Sequence, residues 1–518
     1  MVSMVRGYPR RHVGLVRIVN WGILKNSKLL RHPALLLKGE KELTMSNPET
    51  QASQGTLRKE LGLIVLIFLM IGLNVGGSLF VLTSKAAGLT GPSLFIAQII
   101  SALPVLLALI PYMVITSSVP KTAASYQYAK NFSYPLAAAG VMVLLVAMPL
   151  GGLPLFALTN GKFFMKLIPG APDLVPGLPI SWAQIVAIIT VTIFYIINLV
   201  GIKPSAYIEF IMTALLILAL LVFIIPGLPG IKLENFTPLF TGNIANPNLP
   251  PLLGQILGLI AAAALSYTLL AGGLFGIELG DEVKRAHFTI PRALFVSIFV
   301  VLILYLFIEI VAVGVNGWKS FAGGDLSTPA QIFLGHSFFF GFFVIGGGIM
   351  ACVTTVNAVL TISGRYCMKF AKDGFFPHFF MAINKKYGTP HWGLTLPFVL
   401  SVIILLFVRD FTILGAMLNF GLLFMVSLVL LFAYNLPKKH PEIFAHSRYK
   451  FTPTILRITS LSAAILNIIF MLLLIFIMFK SKNQWAVWLF VIAIIGGLVL
   501  YYIKKKMGLV RKPEILTD

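Results

Sequence analysis

Residues 61–83 read LGLIVLIFLMIGLNVGGSLFVLT, a run without a charged side chain. As a helix it is long enough to cross roughly 30 Å of hydrocarbon. Gly72, Gly76 and Gly77 sit in its middle, in the order Ile71-Gly72-Leu73-Asn74-Val75-Gly76-Gly77-Ser78-Leu79-Phe80. A glycine costs about 1 kcal/mol against alanine in a helix interior, so this cluster marks a place where the helix breaks. Unwound backbone at membrane depth is tolerated only where it faces protein or a cavity. Residues 253–280 repeat the pattern with Tyr267-Thr268-Leu269-Leu270-Ala271-Gly272-Gly273-Leu274-Phe275-Gly276. A broken helix offers N–H groups at one half-helix end and carbonyls at the other. Such ends hold a carboxylate and an ammonium or cation without charged side chains. Close helix packing is the plainer explanation for either cluster taken alone.

The whole chain has the same character. Of its 518 residues, 58% are hydrophobic and 11% charged, against about 25% charged in a soluble protein. The apolar residues fall into twelve predicted spans, at 61–83, 92–116, 127–160, 181–200, 207–228, 253–280, 292–316, 331–370, 392–408, 411–435, 456–480 and 484–503. Continuous runs such as Ala214 to Ile225 lack the alternation of membrane strands. These features exclude a soluble enzyme, a disordered chain and a zinc or disulfide scaffold. Cys352 and Cys367 fall about 22 Å apart on one long helix, too far to bond.

The net charge of +23 would suggest nucleic acid on a soluble protein. Here it is a topology signal. With the N-terminus in the cytoplasm, the inner segments hold 32 of the 40 basic residues, and the outer loops hold Lys85, Lys162, Lys166, Lys232, Lys319, Arg409, Lys480 and Lys482. The positive-inside rule then predicts a multi-pass protein of the cell membrane with both termini cytoplasmic. Residues 1–44 are basic and lack a continuous apolar core, so they read as neither signal peptide nor span. Met45 opens a polar stretch that runs into the first span, and is expected to be the native start. A basic amphipathic segment lying on the membrane is the alternative.

Glycine clusters in the first and sixth spans imply two five-helix repeats, 61–228 and 253–435, inserted with opposite topology because five is odd. Around them stand an N-terminal tail (1–60), an outer loop (229–252), a cytoplasmic loop (436–455), two further helices (456–503) and a C-terminal tail (504–518). The motifs carry a family resemblance. Gly280-Asp281-Glu282-Val283-Lys284 with Ile290-Pro291-Arg292-Ala293 resembles the loop after helix 6 of the amino acid–polyamine–organocation (APC) transporters. So does the stretch Thr355, Asn357, Arg365, Ala371-Lys372-Asp373-Gly374-Phe375-Phe376-Pro377 and Lys386-Tyr387-Gly388-Thr389-Pro390, together with Leu436-Pro437-Lys438-Lys439-His440-Pro441-Glu442. Gly72, Gly76 and Phe80 match the family's broken first helix.

The resemblance implies an all-α membrane protein of about twelve helices, with a leucine-transporter-like 5+5 inverted repeat and alternating access around a midplane site. It implies that N–H groups of Gly76, Gly77 and Ser78 receive a substrate carboxylate. Carbonyls near Ile71, Gly72, Tyr267 and Leu270 would receive the amino group, with Asn74, Gly272, Gly273 and Leu274 beside them. The chain departs from the family pattern at Ser78, where glycine is usual, and at Leu270, Gly273 and Leu274, where aromatic residues and an acid are frequent. Some relatives use a helix 5 lysine in proton coupling; the matching position here falls on Leu216.

Ionisable groups at membrane depth suggest function. Glu278, past the sixth-span break, is expected either to pair with a cytoplasmic base or to carry a coupling proton. Glu309, in Leu306-Phe307-Ile308-Glu309-Ile310, is a second candidate proton carrier, against the alternative of a paired group facing a vestibule. Glu209 reads as a charge near a helix N-terminus. Thr354 and Thr355 are candidates for a sodium site with helix 1 carbonyls, or they bond their own backbone. Asn74 and Asn357 could bind or could tie helices together.

Catalytic patterns are thin. His287, His336, His378 and His391 lie scattered without metal-ligand spacing, and neither a phosphate-binding loop nor a serine elbow is present. Asn235-Phe236-Thr237 is formally a glycosylation sequon. No cofactor and no enzyme activity are expected. The expected function is secondary active transport of amino acids, by symport with H+ or Na+ or by exchange. A polyamine or organic-cation carrier is the alternative in the same fold, and a channel or transport-inactive sensor is the more distant one.

Overall fold

The computed structural model describes residues 57–510 apart from 58, 169–171, 178, 241–249, 409–410 and 481–483. The basic tail at 1–44 and the expected start at Met45 lie outside the described residues. Among those described, helices dominate and the only β pairing is in isolated bridges.

The first apolar run forms α1 (Leu63–Asn74) and α2 (Gly77–Thr90), separated by Val75 and Gly76. α3 (Leu94–Ser118) follows a single turn and contains Pro104 and Pro111. α4 (Ala124–Phe132) is short. α5 (Tyr134–Val146) passes through a π-helical turn at Ala147–Gly152 into α6 (Leu153–Lys166). α7 (Trp182–Val200) starts with a capping box in which Ser181 Oγ receives the Gln184 N–H at 3.2 Å and Gln184 Oε1 receives the Ser181 N–H at 2.8 Å. α8 (Ile202–Gly227) completes the first half.

The second half opens with α9 (Pro251–Ser266) and the single turn α10 (Thr268–Ala271), followed by a tight 3₁₀ stretch, Gly272–Glu278. α11 (Ala286–Asn316) is the longest helix. α12 (Trp318–Ala322), α13 (Ser327–Leu334) and α14 (Phe338–Phe342) lead into a second π-helical segment, Phe343–Ile349, and then α15 (Met350–Lys372). α16 (His391–Phe407), α17 (Phe411–Lys439), α18 (Pro441–His446), α19 (Pro453–Lys480) and α20 (Gln484–Lys506) end the chain.

By length and hydropathy, ten helical runs among the described residues can cross a membrane, against twelve expected spans. The 56-residue run Leu63–Ser118 counts once although it contains α1, α2 and α3, and the 17-residue α16 falls below the length threshold.

Burial is distributed as a bilayer requires. α7 exposes Ile189, Ile193, Ile196 and Val200, and α8 exposes Ile211, Leu215, Leu218, Leu221 and Ile225. These spacings mark one helix face each, and on a soluble protein such faces would be a large unpartnered apolar patch. The interior meanwhile holds Asn74, Glu209, Glu278, Glu309, Thr354, Thr355 and Asn357. α1 lies at the centre, packed against α8, α11, α15 and the Gly272–Glu278 stretch. Cys352 and Cys367 are buried free thiols.

Candidate functional site

The break in the first span is built from backbone. α1 ends where the Val75 N–H bonds the Ile71 carbonyl at 2.7 Å, and Gly76 is extended (φ −94°, ψ 178°) before α2 begins. No side chain caps the start of α2. Its first amides, those of Gly77 and Ser78, have no intrahelical acceptor by geometry. The 3₁₀ stretch of the sixth span lies against this segment. The Gly273 N–H donates to Asn74 Oδ1 at 2.6 Å. A side chain on Gly272 would run into the Leu73 carbonyl, and one on Gly273 into the Asn74 amide. Glycine is needed at both positions because two backbones approach closely there. Tyr305 of α11 steadies the junction by donating its hydroxyl to the Asn74 carbonyl at 2.8 Å.

A small cavity adjoins this junction. Leu73 and Ser78 line it from the first span, and Thr268, Gly272 and Phe275 from the sixth. Met148 and Phe156 come from the third span, Thr355, Val359 and Ile362 from α15, and Leu418 and Leu422 from α17. None of these side chains is charged. The space suits an apolar group between the start of α2 and the 3₁₀ stretch of the sixth span.

Of the candidate residues, Ser78, Gly272 and Thr355 line the cavity. Gly76 and Gly77 stand against Thr355 and Cys352 respectively, where any side chain would collide. The carbonyls of Ile71, Gly72 and Tyr267 already accept bonds, from Val75 N at 2.7 Å, Thr355 Oγ1 at 3.1 Å and Ala271 N at 3.0 Å. Tyr267, Leu270 and Leu274 are fully buried away from the cavity lining, with the Tyr267 ring edge-on to Phe470. Met148, Phe156, Phe275, Leu418 and Leu422 are lining residues that the sequence reading misses. Phe275 stands beside the glycine cluster, but nothing local distinguishes the others from ordinary helix packing.

The ionisable candidates separate clearly. The Glu278 carboxyl receives the Ser125 N–H at 3.2 Å and the Ser125 hydroxyl, at the N-terminus of α4. That carboxyl is seated on a helix start. Glu309 is buried with both oxygens unbonded. Thr354 bonds its own backbone at Ala351, 3.0 Å away, while Thr355 reaches across to Gly72. Glu209 is not at a helix end. It lies on the third turn of α8, fully buried, and meets Gly72 of α1. Glu209 and Thr213 are α8 residues beside that glycine. Among the described residues no group of three His, Cys, Asp or Glu converges.

The motif residues close the bundle on the α1 side. Glu282 binds Arg365 through Nε at 2.9 Å and Nη2 at 3.0 Å, both side chains out of solvent. The Glu282 carbonyl receives the N–H groups of Glu60 and Leu61, fixing the approach to α1. Asp373 takes Lys130 at 2.9 Å and the Tyr126 hydroxyl at 2.6 Å. On the α2 side, Phe80 packs on Phe163 and Phe343, and Phe343 stacks on Phe223.

Comparison with known proteins agrees with this geometry. The family model described as "Amino acid permease" matches residues 61–502. A methylthioribose transporter of Bacillus subtilis is 26% identical over 415 residues, covering 78% of this chain and 87% of its own. A branched-chain amino acid permease of the same organism is 26% identical over 354 residues, 66% of this chain and 73% of its own. The large neutral amino acids transporter small subunit 2 of Mus musculus is 25% identical over 366 residues, 67% and 65% respectively.

Proposed function

The chain belongs to the amino acid permease family, within the APC superfamily, and from that premise we propose that it carries neutral amino acids across the cell membrane by alternating access. The observation that carries this reading is the junction of the two glycine clusters, Leu73–Asn74 against Gly272–Gly273, beside a cavity with no charged side chain. A zwitterion needs opposite partial charges a few ångströms apart. The uncapped start of α2 supplies the positive end, and unwound carbonyls around the breaks supply the negative one. The remaining lining, with Met148, Phe156, Phe275, Leu418 and Leu422, suits an apolar substrate side chain. A polyamine would want carboxylates in the lining, which contains none.

Alternating access in this reading moves the inner half of the first span against a fixed scaffold, with both termini cytoplasmic. The five-helix repeats at 61–228 and 253–435 are supported by paired irregularities. Glycine clusters fall in the first and sixth spans, and π-helical segments fall in the third and eighth, at Ala147–Gly152 and Phe343–Ile349.

The test is counterflow into vesicles reconstituted with the purified protein, using labelled neutral and cationic amino acids, polyamines and methylthioribose. Exchange confined to neutral amino acids is expected. Exchange of polyamines or methylthioribose alone would redirect the assignment, and no exchange of any would defeat it.

A further inference from the structure

We propose that Glu209 is the carboxyl that carries the coupling proton, in a site formed where α8 closes on Gly72 of α1. The proposal rests on the transport reading above and names the ion and residue that drive it.

The site is built from both halves of the chain. Asn357 of α15 accepts from Asn198 Nδ2 at 2.7 Å and from Ser205 Oγ at 2.9 Å on its single amide oxygen. Those two donors orient the amide, so its nitrogen faces Glu209 and donates to Oε2 at 2.8 Å. Asn198 is held in turn by the Thr361 hydroxyl and by the Phe194 carbonyl at 2.9 Å. The network therefore presents Glu209 in one pose. Its other oxygen, Oε1, is buried without a partner, and so is Thr213 Oγ1, which shares the space beside Gly72. A carboxylic acid fits that arrangement: Oε2 accepts from Asn357, and Oε1, which no donor reaches, is the oxygen that carries the proton.

Among the described residues no cation is bonded to the Glu209 carboxyl, whose Oε2 accepts from Asn357 and whose Oε1 has no partner. α1, α13 and the segments 228–230 and 343–349 carry no ionisable side chain. On α7 the ionisable group is Tyr195, bonded to Thr395. α15 carries Cys352, Tyr366, Cys367, Lys369, Lys372 and Arg365, the last held by Glu282. α11 carries His287, Arg292, Tyr305 and Glu309, and α8 itself adds Lys203 and the exposed Tyr207. Among the described residues no ion pair includes Glu209. A lone buried carboxylate costs several kcal/mol, so the packed arrangement demands a proton on it.

The same contact links the proton to transport. Gly72 lacks the side chain that would collide with Oε1, so α1 seals the carboxyl from water by direct backbone approach. The Gly72 carbonyl also accepts from Thr355, a cavity-lining residue. Substrate, α1 and Glu209 thus meet at one glycine. In a cycle, Glu209 takes a proton from water on the outer side and carries it as the neutral acid while α1 is packed. When α1 leaves α8, the O–H bond breaks and the proton passes to inner water, so one proton moves inward with no redox partner. Glu278 is satisfied by α4, and Glu309 has no donor to orient it.

The experiment uses the full chain in proteoliposomes, with the labelled amino acid that wild type exchanges best. E209Q should keep counterflow and lose accumulation driven by an inward proton gradient, together with the accompanying acidification of the vesicle lumen. Wild-type counterflow without any proton-driven accumulation, or E209Q accumulation equal to wild type, would overturn the proposal. Loss of coupling in E309Q but not in E209Q would overturn it in favour of α11. Absence of counterflow in wild type would instead sink the transport reading itself. Should E209Q fail to fold, N357A keeps the carboxyl and removes its donor; it should move the pH midpoint of driven uptake, and an unmoved midpoint would count against Glu209.

Discussion

The N–H of Gly273 donates to Oδ1 of Asn74 across 2.6 Å, joining the glycine clusters of the first and sixth spans, 199 residues apart in the chain. The bond is buried and its donor is a backbone group that no solvent reaches. Removing the acceptor leaves that group unsatisfied, at about 1–3 kcal/mol. N74A should therefore unfold at lower temperature than wild type in detergent and lose counterflow, whereas N74D, which keeps an oxygen, should retain more of both. Thermal unfolding followed by intrinsic fluorescence checks the first part. An N74A protein as stable as wild type would mean the two clusters are held by other contacts.

Gly272 and Gly76 act through space rather than hydrogen bonds. A side chain at 272 meets the Leu73 carbonyl, and one at 76 meets Thr355 and Phe156. Overpacking of this kind costs typically about 1–3 kcal/mol, too little to unfold most domains but enough to separate the two clusters. G272L and G76L are expected to reach the membrane and fold, yet to lose substrate binding. Unchanged transport would show that these glycines serve packing alone.

The glycine clusters of the first and sixth spans are legible in sequence, and the structure sets them against each other at Asn74 and Gly273. Two kinds of information are not. The cavity wall comes from Met148, Phe156, Leu418 and Leu422, whose local sequence matches any lipid-buried helix; only tertiary packing selects them. Glu209 reads wrongly as a terminal charge because its distance from the start of α8 cannot be judged without the helix boundary at Ile202. Glu278 is recognisable as a buried acid, but its partner, the start of α4, lies 153 residues away in sequence. Long-range partners of this sort leave no mark in local patterning.

The Glu282–Arg365 pair supports a prediction about the inner closure. Both groups are out of solvent and the geometry is bidentate. Breaking such a pair from one side costs about 3–5 kcal/mol, because a lone buried charge remains. R365A and E282A should each lower stability strongly, and the double variant should lose less than their sum. A double-mutant cycle on unfolding temperature or denaturation midpoint measures the coupling. Additive losses would show that the pair does not act as a unit.

Leu418 offers a direct test of where the substrate side chain lies. It reaches the cavity from α17 and also packs on Gly152, beside the π-helical turn of the third span. Replacing it with phenylalanine narrows that space without adding charge. A hydrophobic pocket discriminates by about 1–3 kcal/mol for one methylene, or roughly 10–200-fold. L418F should therefore keep counterflow of alanine while sharply reducing that of leucine and phenylalanine, through a raised KM for the larger substrates. Steady-state counterflow against concentration for the three amino acids gives the comparison. Equal loss for all three would place Leu418 in the scaffold, and equal retention would place the substrate side chain against a different wall.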